Sequence, residues 1–165
     1  MYVVYNKINN NLLADIFYMV EGSMLIIYYY LLFNEKEFLL PGLILLVSFI
    51  AFGLYTSFVD PGMEAYNSTF RTGESLIIQA LSAYSLIRIS KDPKINLVKN
   101  PQFWISASFF IYFSVNVAIF FTATFFYDNS TVFMSKTWGI HSIVNILANL
   151  IFTFAMYLIP NPKSK

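Results

Sequence analysis

The chain has no cysteine among its 165 residues, which excludes disulfides and thiolate metal sites. Charge is scarce as well: Asp, Glu, Lys and Arg make up 12% of the chain, against roughly 25% in soluble domains. So few charges cannot clothe a water-facing surface. The net charge of +1 offers no basic footprint for nucleic acid, so no such partner is expected. Catalytic signatures are also missing. There is no Gly-Lys-Ser/Thr phosphate loop, no Gly-x-Ser-x-Gly elbow and no His-Glu-x-x-His pair. The polar stretches reach about a dozen residues, too short to fold as a soluble catalytic domain. The chain therefore reads as a non-enzyme without cofactor. His141 is the single histidine, whereas a metal or haem site needs two or more ligands.

What the sequence has in abundance is apolar surface: 58% hydrophobic residues and 19% aromatics, with 18 Phe and 12 Tyr. That composition suits lipid-facing helices and interfacial belts. The apolar residues fall into five runs, at about 12–33, 38–59, 73–90, 103–127 and 138–159. Each is about 17–25 residues, the length that crosses hydrocarbon at ~1.5 Å per residue. They are too long and too unalternating for barrel strands, and lipid offers a backbone no hydrogen bonds, so helices remain. The expectation is an all-α, polytopic transmembrane helix bundle of about five spans, with 1–165 as a single transmembrane domain. The third run is the shortest and least apolar. Breaks come at Asn34-Glu35-Lys36-Glu37, at Asp60-Pro61-Gly62, along the segment with Pro93 and Pro101, and at Pro160 and Pro162. Five runs without an internal repeat weigh against an inverted-repeat transporter. Residues 1–11 carry no signal-peptide pattern. Tyr2-Val3-Val4-Tyr5 before Asn6-Lys7 looks like the tail of an earlier helix.

Basic residues give a direction. Lys36, Arg88, Lys91, Lys94, Lys99, Lys163 and Lys165 fall on one side, and only Lys7, Arg71 and Lys136 on the other. The positive-inside rule then places the N-terminus outside and the C-terminus in the cytoplasm. Asn67-Ser68-Thr69 and Asn129-Ser130-Thr131 match glycosylation acceptors on the outer side.

An ionisable side chain at the centre of a span costs roughly 2.5–3.5 kcal/mol, so each one invites a functional reading. Counted from the outer end of each span, Glu21 lies about 14 Å in, Gln79 about 9 Å, Asn116 about 16 Å, Asn145 about 10 Å and Asn149 about 16 Å. His141, Ser142, Asn145 and Asn149 share one arc of the fifth helix, while Ser108, Tyr112 and Asn116 form an i, i+4, i+8 stripe on the fourth. On the third, Glu74, Ser75, Gln79, Ser82 and Ser85 occupy one side. Glu21, Gln79, Tyr112, Asn116, His141, Asn145 and Asn149 are thus the candidate ligand-binding residues of a polar pocket in the outer half of the bundle. The plainer alternative is interhelical glue, worth about 0.6 kcal/mol per contact, with Glu21 a protonated carboxyl bonded to Asn145 or Asn116. Asp15 and Glu74 read as solvated end charges, with Arg71 pairing Glu74 at i, i+3. Trp104 and Trp138 read as interfacial anchors.

Two stretches carry a resemblance. One is Asn100-Pro101-Gln102-Phe103-Trp104-Ile105 with Phe110-Ile111-Tyr112-Phe113-Ser114; the other runs Trp138-Gly139-Ile140-His141-Ser142-Ile143-Val144-Asn145-Ile146-Leu147-Ala148-Asn149-Leu150. Both resemble a family of uncharacterised small polytopic membrane proteins of Bacteroidota. That family usually has about seven spans and is often encoded near sensor histidine kinases or response regulators. The resemblance covers roughly residues 6–160 and implies two further N-terminal helices, a bacterial inner membrane and a signalling context. It supplies no catalytic residues.

Two functions follow as expectations. The first is a sensory or partner module that binds a small ligand or a membrane histidine kinase through the polar pocket. The alternative is a small transporter or channel subunit with Glu21 as proton or cation site, for which five helices would need a homo-oligomer to enclose a path. The lipid bilayer is the expected partner in either case.

Overall fold

Apolar runs of membrane length fold as helices because only an intra-segment hydrogen-bond ladder satisfies the backbone. The computed structural model describes the backbone of residues 2–33, 36–59, 68–126 and 131–159, and the side chains of 13–33, 38–58, 69–122 and 136–159. It is all-α: α1 (Tyr2–Phe33), α2 (Lys36–Leu54), α3 (Ser68–Ser90), α4 (Pro101–Phe126) and α5 (Thr131–Tyr157). Four stretches are long and apolar enough to cross a membrane: Leu13–Phe33, Phe38–Phe58, Pro101–Thr122 and Lys136–Tyr157. Each rises about 30 Å. The protein is a multi-pass membrane protein of helical-bundle class. With 23 residues α3 is also long enough, but it is too polar to be counted with the four, and its serines Ser75, Ser82 and Ser85 are fully buried.

Several boundaries differ from the sequence reading. Tyr2–Tyr5 belongs to α1 itself, which starts ten residues earlier than the apolar run. The start of α3 at Ser68 rather than at residue 73 takes Arg71 into the helix. Beyond Leu54, α2 continues as a π-helical turn, Tyr55–Val59, where Thr56 Oγ1 donates to the carbonyls of Phe52 (3.0 Å) and Gly53 (3.1 Å). The start of α4 is capped by Asn100, whose Oδ1 accepts from the Gln102 (2.8 Å) and Phe103 (3.2 Å) amides. Pro101 sits at the first helical position, where no donor is needed. The Trp104 indole donates to the Val98 carbonyl at 2.9 Å, tying the preceding loop to the helix end, as an anchor does. The side chains of 34–37, the turn Asp60-Pro61-Gly62, the acceptors Asn67 and Asn129, and the tail from Pro160 lie outside the described residues.

The helices form two compact units, Met1–Glu74 and Ser75–Lys165. In the first, α1 and α2 run antiparallel and approach closely at glycines. A Cβ at Gly22 would stand 2.4 Å from the Phe49 ring, one at Gly53 2.8 Å from Met19, and one at Gly42 2.5 Å from Tyr30. Small residues at such crossings let membrane helices gain van der Waals contact. Phe49 is in turn stacked on Phe70 of α3 at 5.3 Å. In the second unit α4 and α5 are antiparallel. Ser108 Oγ donates to the Ala148 carbonyl at 2.7 Å, Phe109 meets Phe152 at 5.9 Å and Trp104 meets Phe154 at 5.3 Å. Ser106 donates to Ser85 at 2.9 Å, which joins α3 to α4.

Candidate functional site: a buried acid cluster and an amide–imidazole pair

In the first unit, α1 carries Asp15, Tyr18 and Glu21 at successive i, i+3 positions, neighbours along one flank. The first turns of α3 bring Arg71 and Glu74 to them, and the π turn brings Ser57. π turns are rare and frequent at functional sites. Ser57 Oγ donates to Asp15 Oδ2 at 3.1 Å. The Arg71 guanidinium carbon lies 4.1 Å from the Tyr18 ring centroid, a cation–π placement. Tyr18 is within electrostatic reach of Arg71, Glu21, Glu74 and Asp15, and Glu74 within that of Glu21 and Arg71.

Asp15 is 7% exposed, Arg71 5% and Glu74 2%. Reading Asp15 and Glu74 as solvated end charges is therefore wrong. The reason is that both helices begin earlier than their apolar runs, α1 at Tyr2 and α3 at Ser68. Partners distant in sequence then cover the two acids, Ser57 at Asp15 and the α1 turn of Gly22 at Glu74. The Arg71–Glu74 attraction expected from their spacing is present. Glu74 Oε1 is buried and has no hydrogen-bond partner among the described residues. It lies where a Cβ on Gly22 would be 2.9 Å away, so the missing side chain at 22 is what admits it. Glu21 is half-buried. Three carboxyl groups thus gather around Tyr18, and Glu74 is within reach of the Arg71 guanidinium. Among the described residues no three acidic or histidine side chains converge as a metal site. An open, shallow apolar hollow of about 630 Å³ runs along Leu13, Ala14, Ile16, Phe17 and Tyr18 of α1.

The second unit holds the other expected residues. His141 Nδ1 and Asn116 Oδ1 are 3.0 Å apart, so the imidazole donates if that nitrogen carries the proton. Tyr112 stands 5.8 Å from His141, ring to ring, and Trp138 5.4 Å on another edge. The α4 stripe Ser108, Tyr112, Asn116 therefore faces α5. Gln79 donates to Ser114 at 2.9 Å, pinning α3 to α4. Asn149 donates to the Asn145 carbonyl at 2.9 Å and also to its side-chain oxygen. Of the seven candidates, Asn116, His141 and Tyr112 are brought together, Gln79 bonds a serine, and Asn145 and Asn149 bond each other along α5. Glu21 belongs to the first unit, among acids that the sequence reading had placed in water. The available signal was the pair Arg71 and Glu74 at helical spacing beside glycines 22 and 53 that permit close packing. The chain matches no known family model, no curated protein and no solved structure.

Proposed function

We propose that this multi-pass membrane protein is a small transporter or channel subunit in which the carboxyl groups of Glu21 and Glu74 take up and release a proton. The observation that carries this reading is the buried Oε1 of Glu74, which has no hydrogen-bond partner among the described residues and lies within electrostatic reach of a second carboxylate and of Arg71. An uncompensated buried carboxylate is costly, and intramembrane acids are the usual carriers of proton relays. Glu74 accepts the proton on Oε1 and returns it as a carboxylate, while Arg71, held over Tyr18, keeps the local charge balanced. The test is proton entry into lipid vesicles holding the purified protein and a trapped pH dye, driven by a potassium diffusion potential. Vesicles with the wild-type protein acidify faster than empty ones, and Glu74→Gln or Glu21→Gln returns the rate to that of empty vesicles with helicity unchanged by circular dichroism. Equal rates for wild-type and empty vesicles, or full flux through Glu74→Gln, overturn the proposal.

A second reading, a sensory module for a small ligand or a membrane histidine kinase, is favoured by the Asn116–His141–Tyr112 group, which offers polar and aromatic contacts in the second unit. Deleting the gene then changes the output of an adjacent two-component system, and His141→Phe reproduces the deletion. Unchanged transcription across growth conditions counts against it. Either role is assigned to a bacterial inner membrane with the N-terminus outside and the C-terminus cytoplasmic, α3 being the fifth crossing. The burial of Arg71 removes it from the loop charges on the outer side, which sharpens the asymmetry behind that orientation.

A further inference from the structure

Along α5, Ser142, Ile146, Asn149, Thr153 and Met156 follow one another at alternating steps of four and three, the spacing of a left-handed helix–helix seam. All five are exposed, Ile146 at 62% and Met156 at 51%. Asn149 lies in the middle of the apolar stretch Lys136–Tyr157, at a depth where water is absent. Its Nδ2 donates back to Asn145. Among the described residues this leaves the side-chain oxygen of Asn149 and the amide group of Asn145 without a hydrogen bond to any other helix. One is an acceptor and the other a donor, and hydrocarbon satisfies neither.

We propose that this seam of α5 is a self-association surface, its occupant the α5 seam of a second copy of this chain. Two copies inserted in the same direction present the same residues at the same depth, so each brings both the donor and the acceptor that the other lacks. A foreign helix would need this complement at matched depth, and a lipid chain has neither group. Ser142 and Thr153 are small enough for close approach, and their hydroxyls are turned onto their own helix, donating to the Trp138 (3.0 Å) and Asn149 (2.8 Å) carbonyls. That leaves methyl and methylene surface between the helices, with the two asparagines as the polar element that sets register.

Because the chain has no cysteine, single cysteines report on this face without background. Ile146→Cys lies on the seam, and Leu147→Cys, also exposed, lies one residue on and about 100° around the helix. In membranes treated with a mild oxidant, Ile146→Cys forms a disulfide-linked dimer and Leu147→Cys does not. Asn149→Leu, at an exposed position where folding is not at stake, weakens association of the full chain in vesicles by roughly 3- to 20-fold, the range set by interhelical amide bonds. The proposal is overturned if both cysteine variants cross-link equally, if neither does, if Ile146→Cys is captured by a different protein, or if Asn149→Leu leaves the association constant unchanged.

Discussion

Gly22→Ala tests the close approach on which the acid cluster depends. The added methyl would stand 2.4 Å from one ring carbon of Phe49, 2.8 Å from another and 2.9 Å from Glu74 Oε1, all well inside contact distance. Phe49 is 1% exposed and stacked on Phe70, which is fully buried, so the ring has nowhere to turn and α1 must move from α2. Overpacking of this kind costs about 1–3 kcal/mol, while alanine in place of glycine returns up to ~1 kcal/mol of helix propensity. The two oppose, and with the full propensity gain a net loss of about 0–2 kcal/mol is expected. Gly139→Ala isolates the propensity part, because a Cβ there meets nothing within 4 Å; it leaves stability unchanged or slightly raised. The assay is unfolding by graded SDS in mixed micelles, followed by far-ultraviolet circular dichroism at protein dilutions where copies do not associate. Phe49→Leu makes room for the methyl, so the double variant Gly22→Ala, Phe49→Leu recovers at least ~1 kcal/mol relative to additivity. If Gly22→Ala is as stable as Gly139→Ala, or the pair is strictly additive, the tight crossing does not exist as described.

Arg71→Lys keeps the charge but loses the planar group over Tyr18, so it costs about 0.5–2 kcal/mol in the same assay. Arg71→Met strands the acids without a counter-charge and costs about 3–5 kcal/mol; equal effects from the two variants would show that the cation is dispensable. A double-mutant cycle on Asn116→Ala and His141→Phe yields a coupling of about 0.6–1.7 kcal/mol, the span measured for interhelical hydrogen bonds in membranes, and zero coupling would dissolve the 3.0 Å contact. For the orientation, Lys136→Cys reacts with an impermeant maleimide on intact cells, whereas Lys94→Cys reacts only after permeabilisation; the reverse pattern inverts the topology.

Much of the fold is a one-dimensional property. Run length and apolarity alone predict α1, α2, α4 and α5, because a backbone in hydrocarbon has no alternative to the helix. The faces of α3 and α4 are legible from spacing too: Ser75, Ser82 and Ser85, on the one polar side that helical spacing defines, are buried, and Ser108, Tyr112 and Asn116 meet α5. Sequence spacing cannot say which stripe finds which partner. That limit separates Asn116, which meets an imidazole across two helices, from Asn149, whose hydrogen bonds among the described residues stay on its own helix.

The lack of cysteine by itself excluded disulfides and thiolate metal sites. The shortage of charge together with apolar runs of membrane length determined that this chain lives in a membrane, because solvent choice follows from composition. Tertiary structure alone decided what its few charges do. Asp15, near the start of its apolar run, and Glu74, in the second turn of α3, read as water-facing in any count along the chain. They are buried because the π turn carries Ser57 to Asp15 and because α3 brings Glu74 against α1 at Gly22, where the missing side chain allows close approach. Burial depends on what neighbours cover, and neighbours so distant in sequence are set by packing.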